Sequence, residues 1–179
     1  MNKNLTIKQN TDLILKKSKS SLKITSNILS KRTSLIVQED DSWIQRLWDW
    51  ADNNDIPDLE WFIGRTEEEN GYFRGLSRNK EKLLNLTELD LSNNQLTQLP
   101  KEIGNLVNLT RLNLYKNRLT ELPKEIGNLV NLTTIDLDRN QLTQLPKEIG
   151  NLVNLTRLTL SHNQLTQLPK EIGNLVNLT

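Results

Sequence analysis

The decapeptide LPKEIGNLVN occurs four times in this 179-residue chain, and each copy begins 23 residues after the previous one. A fixed period of this length is typical of stacked-repeat proteins, in which each unit covers the hydrophobic face of its neighbour. The full repeat units begin at Leu86, Leu109, Leu132 and Leu155, and a fifth begins at Leu178. The period therefore predicts an array of similar coils over residues 83–179.

Each unit predicts a strand, a turn and a short helix. LTELDL alternates apolar and polar residues, which predicts a strand with Glu88, Asp90 and Ser92 on the face away from the core. An Asn follows at a fixed place, where its amide can satisfy backbone groups at the turn. These residues, which would form a ladder, are Asn94, Asn117, Asn140 and Asn163. The Pro of LPKEIGNL then predicts one or two helical turns, with Ile103 and Leu106 facing inward.

The energetics of one unit explain why the units must stack. One unit buries about seven Leu or Ile side chains at roughly 1.5–3 kcal/mol each. Ordering its residues costs about 1.5 kcal/mol per residue, which is more than this burial contributes. A single coil is therefore unstable, and stacked coils stabilise one another.

The pattern LxxLxLxxNxLxxLPxxIxxL resembles the leucine-rich repeat family. The LPKEIGNL variant is similar to the repeats of bacterial leucine-rich repeat proteins and of intracellular Ras-group leucine-rich repeats. The resemblance implies an α/β fold, a right-handed solenoid with a parallel concave β-sheet. It also implies that the concave side binds a protein.

Sixteen of the 23 repeat columns are identical in all four copies, and five of the seven variable columns lie on or just after the strand. We interpret this as a concave surface diversified for a ligand. Neutral drift after recent duplication is the alternative, but drift should also vary Lys101, Glu102 and Asn105, which we expect to be exposed on the convex side. Gene conversion would produce the same pattern.

Four variable columns supply the predicted partner-binding residues. In the order of the copies they are Glu88, Asp90, Ser92 and Asn93; Arg111, Asn113, Tyr115 and Lys116; Thr134, Asp136, Asp138 and Arg139; and Arg157, Thr159, Ser161 and His162. A stable interface uses roughly 20–30 residues per side. Sixteen residues fall short of that, so we expect further repeats or contacts from the N-terminal region.

Residues 34–82 form an acidic, Trp-rich region that predicts a small helical N-terminal cap and a connection. DDSWIQRLWDWADNNDIP predicts an amphipathic helix, with Asp41 or Ser42 as its N-cap and Asn53 and Asn54 at its end. Pro57 predicts a second short helix through residue 63, and residues 64–82 predict a polar connection. The Trp side chains either cover the first coil, as we favour, or form an aromatic recognition site.

Residues 1–33 carry eight Lys or Arg and one Asp. This composition predicts a flexible solvated tail or a loose amphipathic helix. A basic helix could also dock on an anionic membrane surface or dimerise. The tail lacks aromatic residues for base stacking, so we do not expect nucleic-acid binding.

Several functional classes find little support. The chain has no Cys and one His, so we predict neither a metal site nor a cofactor. Asp136 and Asp138 form a carboxylate pair, but it lies on an open surface beside arginines, so we predict no catalytic residues and no small-molecule substrate. His162 has no obvious partner in the sequence. The Asn-Leu-Thr sequons arise from the repeat itself, and we do not expect them to be glycosylated.

The sequence therefore predicts a non-enzymatic, cytoplasmic protein-interaction module, such as a signalling adaptor, with no signal peptide or membrane span. One alternative is the targeting part of a larger effector or signalling protein whose C-terminal domain is missing. Another is an adaptor docked on a membrane through the tail. Leu175, Val176 and Leu178 would face solvent, so we expect either a fragment of a longer array or end-to-end self-association.

Overall fold

The computed structural model describes residues 40–58, 60–62 and 72–179, and the basic segment 1–33 lies outside them. The helices and strands of the described part are α1 (Ser42–Asn53), β1 (Glu60–Phe62), β2 (Tyr72–Arg74), α2 (Lys80–Leu84), β3 (Glu88–Asp90), β4 (Arg111–Asn113), β5 (Thr134–Asp136) and β6 (Arg157–Thr159). A 3₁₀ helix follows each of the last four strands, at Lys101–Asn105, Lys124–Asn128, Lys147–Asn151 and Lys170–Asn174.

The four repeat strands form one parallel sheet in the order β3-β4-β5-β6. Equivalent residues of neighbouring copies pair in register, as Leu89 does with Leu112 and Leu112 with Ile135. The short helical segment predicted in each unit is a 3₁₀ helix that begins after the Pro. This regular stacking confirms the predicted α/β solenoid.

The core runs through the array as one continuous hydrophobic cluster. The second unit illustrates the pattern, because all seven of its aliphatic core positions are at most 5% exposed. These residues are Leu109, Leu112, Leu114, Leu119, Leu122, Ile126 and Leu129. The predicted number of buried aliphatic residues per coil is therefore confirmed in this unit.

The predicted helix of the N-terminal region is present as α1, and its apolar side packs on the repeats. Ile44, Leu47 and Ala51 are buried in the same cluster as the first coil. Trp43, Trp48 and Trp50 pack against that cluster, and the Trp48 indole Nε1 donates a hydrogen bond to the Ser77 carbonyl oxygen at 2.9 Å. These three tryptophans therefore contribute to packing.

The expected second helix is wrong. Residues 60–62 form β1, which pairs antiparallel with β2, and the Gly75 N–H extends this hairpin toward the repeat sheet by donating to the Asp90 carbonyl oxygen. A short apolar run does not distinguish a helix from a strand by its periodicity. The polar connection expected over 64–82 likewise contains β2 and α2, since pairing with β1 and capping by Asn79 supply backbone partners there.

Two residues that the sequence predicted to be exposed, Glu102 and Leu175, are buried. Glu102 is 6% exposed, because α1 lies over it and the Arg46 Nε donates to its carboxylate at 2.7 Å. Leu175 is 5% exposed and belongs to the core cluster, because this column points into its own coil. The solvent-facing apolar residues near it are Leu168, Val176 and Leu178.

The Arg46–Glu102 pair should make stability depend on acid pH. Burial of the carboxylate tends to raise its pKa. However, the hydrogen bond and charge of Arg46, together with the residue's own backbone N–H and Lys101, hold the pKa of Glu102 below its ordinary value. Such a group stabilises the folded state fully above its unfolded-state pKa, and this contribution is lost as the pH falls through the folded-state pKa.

We expect Arg46→Ala to lower the free energy of unfolding by about 1–2 kcal/mol at neutral pH, because a buried carboxylate loses its partner. The difference from the unmodified chain should shrink on acidification. Urea unfolding at several pH values measures both effects. Gln45→Ala, an exposed neighbour on the same helix, is the control. An Arg46→Ala loss that is the same at neutral and strongly acid pH would contradict the prediction.

Candidate functional site

The parallel register places the first two variable columns side by side on the open face of the sheet. Glu88, Arg111, Thr134 and Arg157 align across β3 to β6, as do Asp90, Asn113, Asp136 and Thr159. These eight residues, together with Leu89 and Leu112, line a concavity of about 530 Å³. Half of the predicted partner-binding residues therefore lie around one depression.

The other eight predicted residues follow the strands and lie outside the lining of that concavity. Tyr115 and Asp138 are half-buried, and Ser161 is exposed. Ser92 is only 7% exposed, so its side chain offers little surface to a partner. The remaining column, Asn93, Lys116, Arg139 and His162, is exposed in every copy.

This exposed column has an unusual backbone conformation. Its φ angles are 57° at Asn93, 55° at Lys116, 55° at Arg139 and 53° at His162. Asn tolerates the left-handed region, whereas longer side chains occupy it less readily. The turn after each strand therefore holds these side chains outward at the rim of the sheet, whichever residue a copy carries.

The variable column that contains Asp90 also stabilises the backbone. The side-chain oxygens of Asp90, Asn113 and Asp136 accept hydrogen bonds from the N–H groups two residues later, at 2.8 Å, 3.0 Å and 3.0 Å. These are Asx-turns, which help the chain to leave the strand. The sequence contained a signal for these turns, since three of the four copies carry Asp or Asn in this column.

The charged rim contains a contact that sequence reasoning missed. His162 was expected to have no obvious partner, but its Nδ1 lies 3.1 Å from Asp138 Oδ1. The other oxygen of Asp138 lies 3.9 Å from Arg139 Nε. Asp138 and His162 follow the neighbouring strands β5 and β6, so the turns of two adjacent coils meet here. His162 is largely exposed and lies outside the concavity, so the pair adds polar contacts to the rim.

Three residues of the fixed Asn column, of which Asn117 and Asn140 are buried, link neighbouring coils through their amides. Asn117 Oδ1 accepts hydrogen bonds from the Asn94 and Leu96 N–H groups, while its Nδ2 donates to the Leu91 and Leu114 carbonyl oxygens. Asn140 and Asn163 bond in the same way between their own coil and the preceding one. These contacts fix where the chain turns out of each strand.

The Asn-Leu-Thr stretch forms two further ladders that sequence reasoning missed. Asn131 Nδ2 donates to the Val107 carbonyl oxygen at 2.9 Å, and Asn154 and Asn177 repeat this contact one coil further along. The Thr133 hydroxyl donates to the Thr110 carbonyl oxygen at 3.0 Å, again with equivalents in other coils. These contacts give a structural reason for the repeated sequons.

No cluster of His, Asp and Glu suited to a metal ion occurs among residues 40–58, 60–62 and 72–179. No helix in those ranges is both long enough and apolar enough to cross a membrane.

Two family models match the repeat array. The model described as "Leucine-rich repeat region" matches residues 101–179, and the model described as "Leucine Rich Repeat" matches residues 85–106. Together they span residues 85–179, which is more than half of the chain. A comparison with curated proteins gives no match.

Solved structures of other proteins are similar to part of this chain. A leucine-rich repeat protein of Leptospira interrogans is 53% identical over 57% of this chain and 26% of its own, with a TM-score of 0.55. The plant peptide hormone receptor RGFR1, solved in complex with RGF2, is 39% identical over 66% of this chain and 20% of its own, with a TM-score of 0.52. The matched region thus spans about a quarter or less of either protein.

Proposed function

This chain belongs to the leucine-rich repeat family, and from that membership we propose that it is a non-enzymatic module that binds a protein partner through the open face of the β3–β6 sheet. One observation carries the proposal: five of the seven variable columns lie on the strands of that face or just after them. The receptor RGFR1, a structure to which this chain is similar, was solved in complex with RGF2. That complex supports ligand binding by this architecture.

The repeat columns that are identical in all copies also support the proposal, because exposed residues away from the sheet face do not vary. Part of their constancy follows from packing, since the Asn-Leu-Thr residues form ladders between coils. Lys101, Asn105 and Val107 are exposed, and yet they are the same in every copy. Exposure alone therefore does not account for the variation, which favours selection for a ligand on the sheet side.

Tyr115 and Arg139 are the residues that we expect to contribute most outside the concavity. Tyr115 is half-buried and Arg139 is exposed, on neighbouring coils at the same rim. Tyr and Arg are enriched among the residues that dominate interface energies. Both residues follow within three residues of the end of a sheet strand, so we expect them to contact a partner seated on the sheet.

The double variant Tyr115→Ala/Arg139→Glu should recover at least about tenfold less of a specific partner than the unmodified chain, since each hot-spot residue typically contributes more than about 1.4 kcal/mol. The measurement is affinity capture from source-cell lysate with quantitative mass spectrometry. Thermal unfolding of each bait beforehand shows that it is folded.

Lys124→Glu is the matched control, because Lys124 is an exposed residue of a 3₁₀ helix and the substitution changes the charge by the same amount as Arg139→Glu. This control should recover the same partner as the unmodified chain. Equal recovery by all three baits would refute the sheet face as the binding surface.

A further inference from the structure

We propose that the concavity on β3–β6 binds an extended peptide segment through a carboxylate, which the guanidinium groups of Arg111 and Arg157 hold over Thr134. The inference rests on the proposed function and specifies the chemistry of the partner at that surface. It follows from which polar groups lining the concavity already have partners and which do not.

The arginine side chains that line the concavity have hydrogen-bond donors available for a ligand. Arg111 and Arg157 are exposed, and among the residues that the structure describes neither guanidinium makes an ion pair. Each guanidinium offers five N–H donors in a planar fork that matches a carboxylate. A ligand that satisfies these groups must bring acceptors.

Of the three carboxylates that line the concavity, Asp90 and Asp136 already accept hydrogen bonds within the protein. Asp90 accepts from the Ser92 N–H at 2.8 Å and from the Asn113 amide at 3.1 Å. Asp136 accepts from the Asp138 N–H at 3.0 Å and from the Thr159 hydroxyl. Both carboxylates therefore serve turns and strand-to-strand contacts.

The positions of the two arginines suit one small anionic group. They stand on β4 and β6, with Thr134 of β5 between them in register. Alternate strands of a sheet are about 10 Å apart, so two long side chains can converge on a group seated over the middle strand. An extended segment crossing the strands would place a side-chain or C-terminal carboxylate at this point.

The remaining charges limit the ligand to a segment with few negative charges. Glu88, Asp90 and Asp136 line the same concavity as the two arginines, so carboxylates outnumber guanidiniums there. A polyanion such as nucleic acid would be repelled by this balance. Glu88 pairs in register with Arg111, so a basic residue of the ligand would find its complement at the β3 end.

The repeats themselves supply test substitutions that this backbone already accommodates. Thr occupies the Arg111 and Arg157 column at Thr134, so Arg111→Thr/Arg157→Thr removes both cations. Asn occupies the Asp136 column at Asn113 and keeps the same turn, so Asp136→Asn removes a negative charge. Arg118→Gln is the control: it removes an exposed cation outside the lining, and every other copy carries Gln there.

The experiment selects peptides from a displayed library of random short sequences against the unmodified chain, and then measures the affinity of the enriched peptides for each variant. We expect enrichment of Asp, Glu or a free C-terminal carboxylate. Affinity should fall at least tenfold in Arg111→Thr/Arg157→Thr and rise severalfold in Asp136→Asn. It should stay within twofold in Arg118→Gln, and raised salt should weaken binding.

The outcomes separate this inference from the proposed function. Enriched basic peptides, with affinity lowered by Asp136→Asn, would overturn the carboxylate inference and leave the sheet face as the binding surface. Enriched peptides that are insensitive to every sheet variant would overturn both. A library that yields no binder would overturn the inference, because the concavity would not hold a short segment, and the lysate capture would still decide the proposed function.

Discussion

Replacing Asn117 with alanine should lower the free energy of unfolding by roughly 3 kcal/mol, because each buried backbone group left without a partner costs about 1–3 kcal/mol and such terms are only partly additive. Asn117 is 7% exposed, and its amide makes four hydrogen bonds. Two N–H groups and the Leu91 carbonyl oxygen lose this partner at once, whereas the Leu114 carbonyl oxygen keeps the hydrogen bond from the Asn140 amide. Denaturant unfolding followed by circular dichroism measures the loss.

Asn163→Ala provides the matched comparison for Asn117→Ala. Asn163 is the same residue in the same column, but it is half-buried, so water can replace part of what its amide provides. The loss at Asn163 should therefore be clearly smaller than the loss at Asn117. If the two variants lose the same free energy, or if Asn117→Ala loses less than about 1 kcal/mol, the amide contributes less than a buried hydrogen-bonding group should.

The repeat array could be predicted from the sequence because the same pattern of apolar residues recurs in every unit. One apolar pattern could fit several structures, but the same pattern four times in register fits a stack in which each Leu meets its equivalent. Ile103, Leu106 and the strand leucines accordingly lie where the pattern placed them. The face that carries the variable columns follows from the same alternation of side chains along the strand.

The N-terminal hairpin could not be predicted in this way, because it occurs once. Residues 60–62 pair with residues 72–74, and the sequence between them gives no alternation that identifies the partner strand. The burial of Glu102 was missed for a related reason. It depends on Arg46, 56 residues earlier, and no periodic signal links the two positions.

In the candidate site, the sequence did not show that one side chain can both support the backbone and line the proposed binding surface. Variation at Asp90, Asn113 and Asp136 suggested ligand contact, but their side-chain oxygens also close the turns after the strands. Asp and Asn share that acceptor, so the turn tolerates a change of charge. The column can therefore adjust the electrostatics of the concavity while it preserves the backbone.

The repeat glycines permit close stacking of the 3₁₀ helices. A Cβ added at Gly127 would lie 2.5 Å from the Glu148 carbonyl oxygen and 2.7 Å from its Cβ atom, and Gly150 meets Glu171 in the same way. The first of these atoms belongs to the backbone of the next coil, so a side-chain rotation does not relieve the clash. The spacing of neighbouring coils thus depends on the absence of one methyl group.

Gly127→Ala should consequently destabilise the array by about 1–3 kcal/mol, the usual range for overpacking a well-packed interior. Gly173→Ala is the same substitution in the same column, but a Cβ there has no atom within 4 Å. It should be neutral or should stabilise the chain by up to about 1 kcal/mol, because alanine restricts the unfolded chain more than glycine does. Denaturant unfolding of both variants separates helix propensity, which the two positions share, from the contact with the next coil, which only Gly127 has. Equal effects at the two positions would show that the glycine is required for its own helical turn and that the stacking of neighbouring coils does not depend on it.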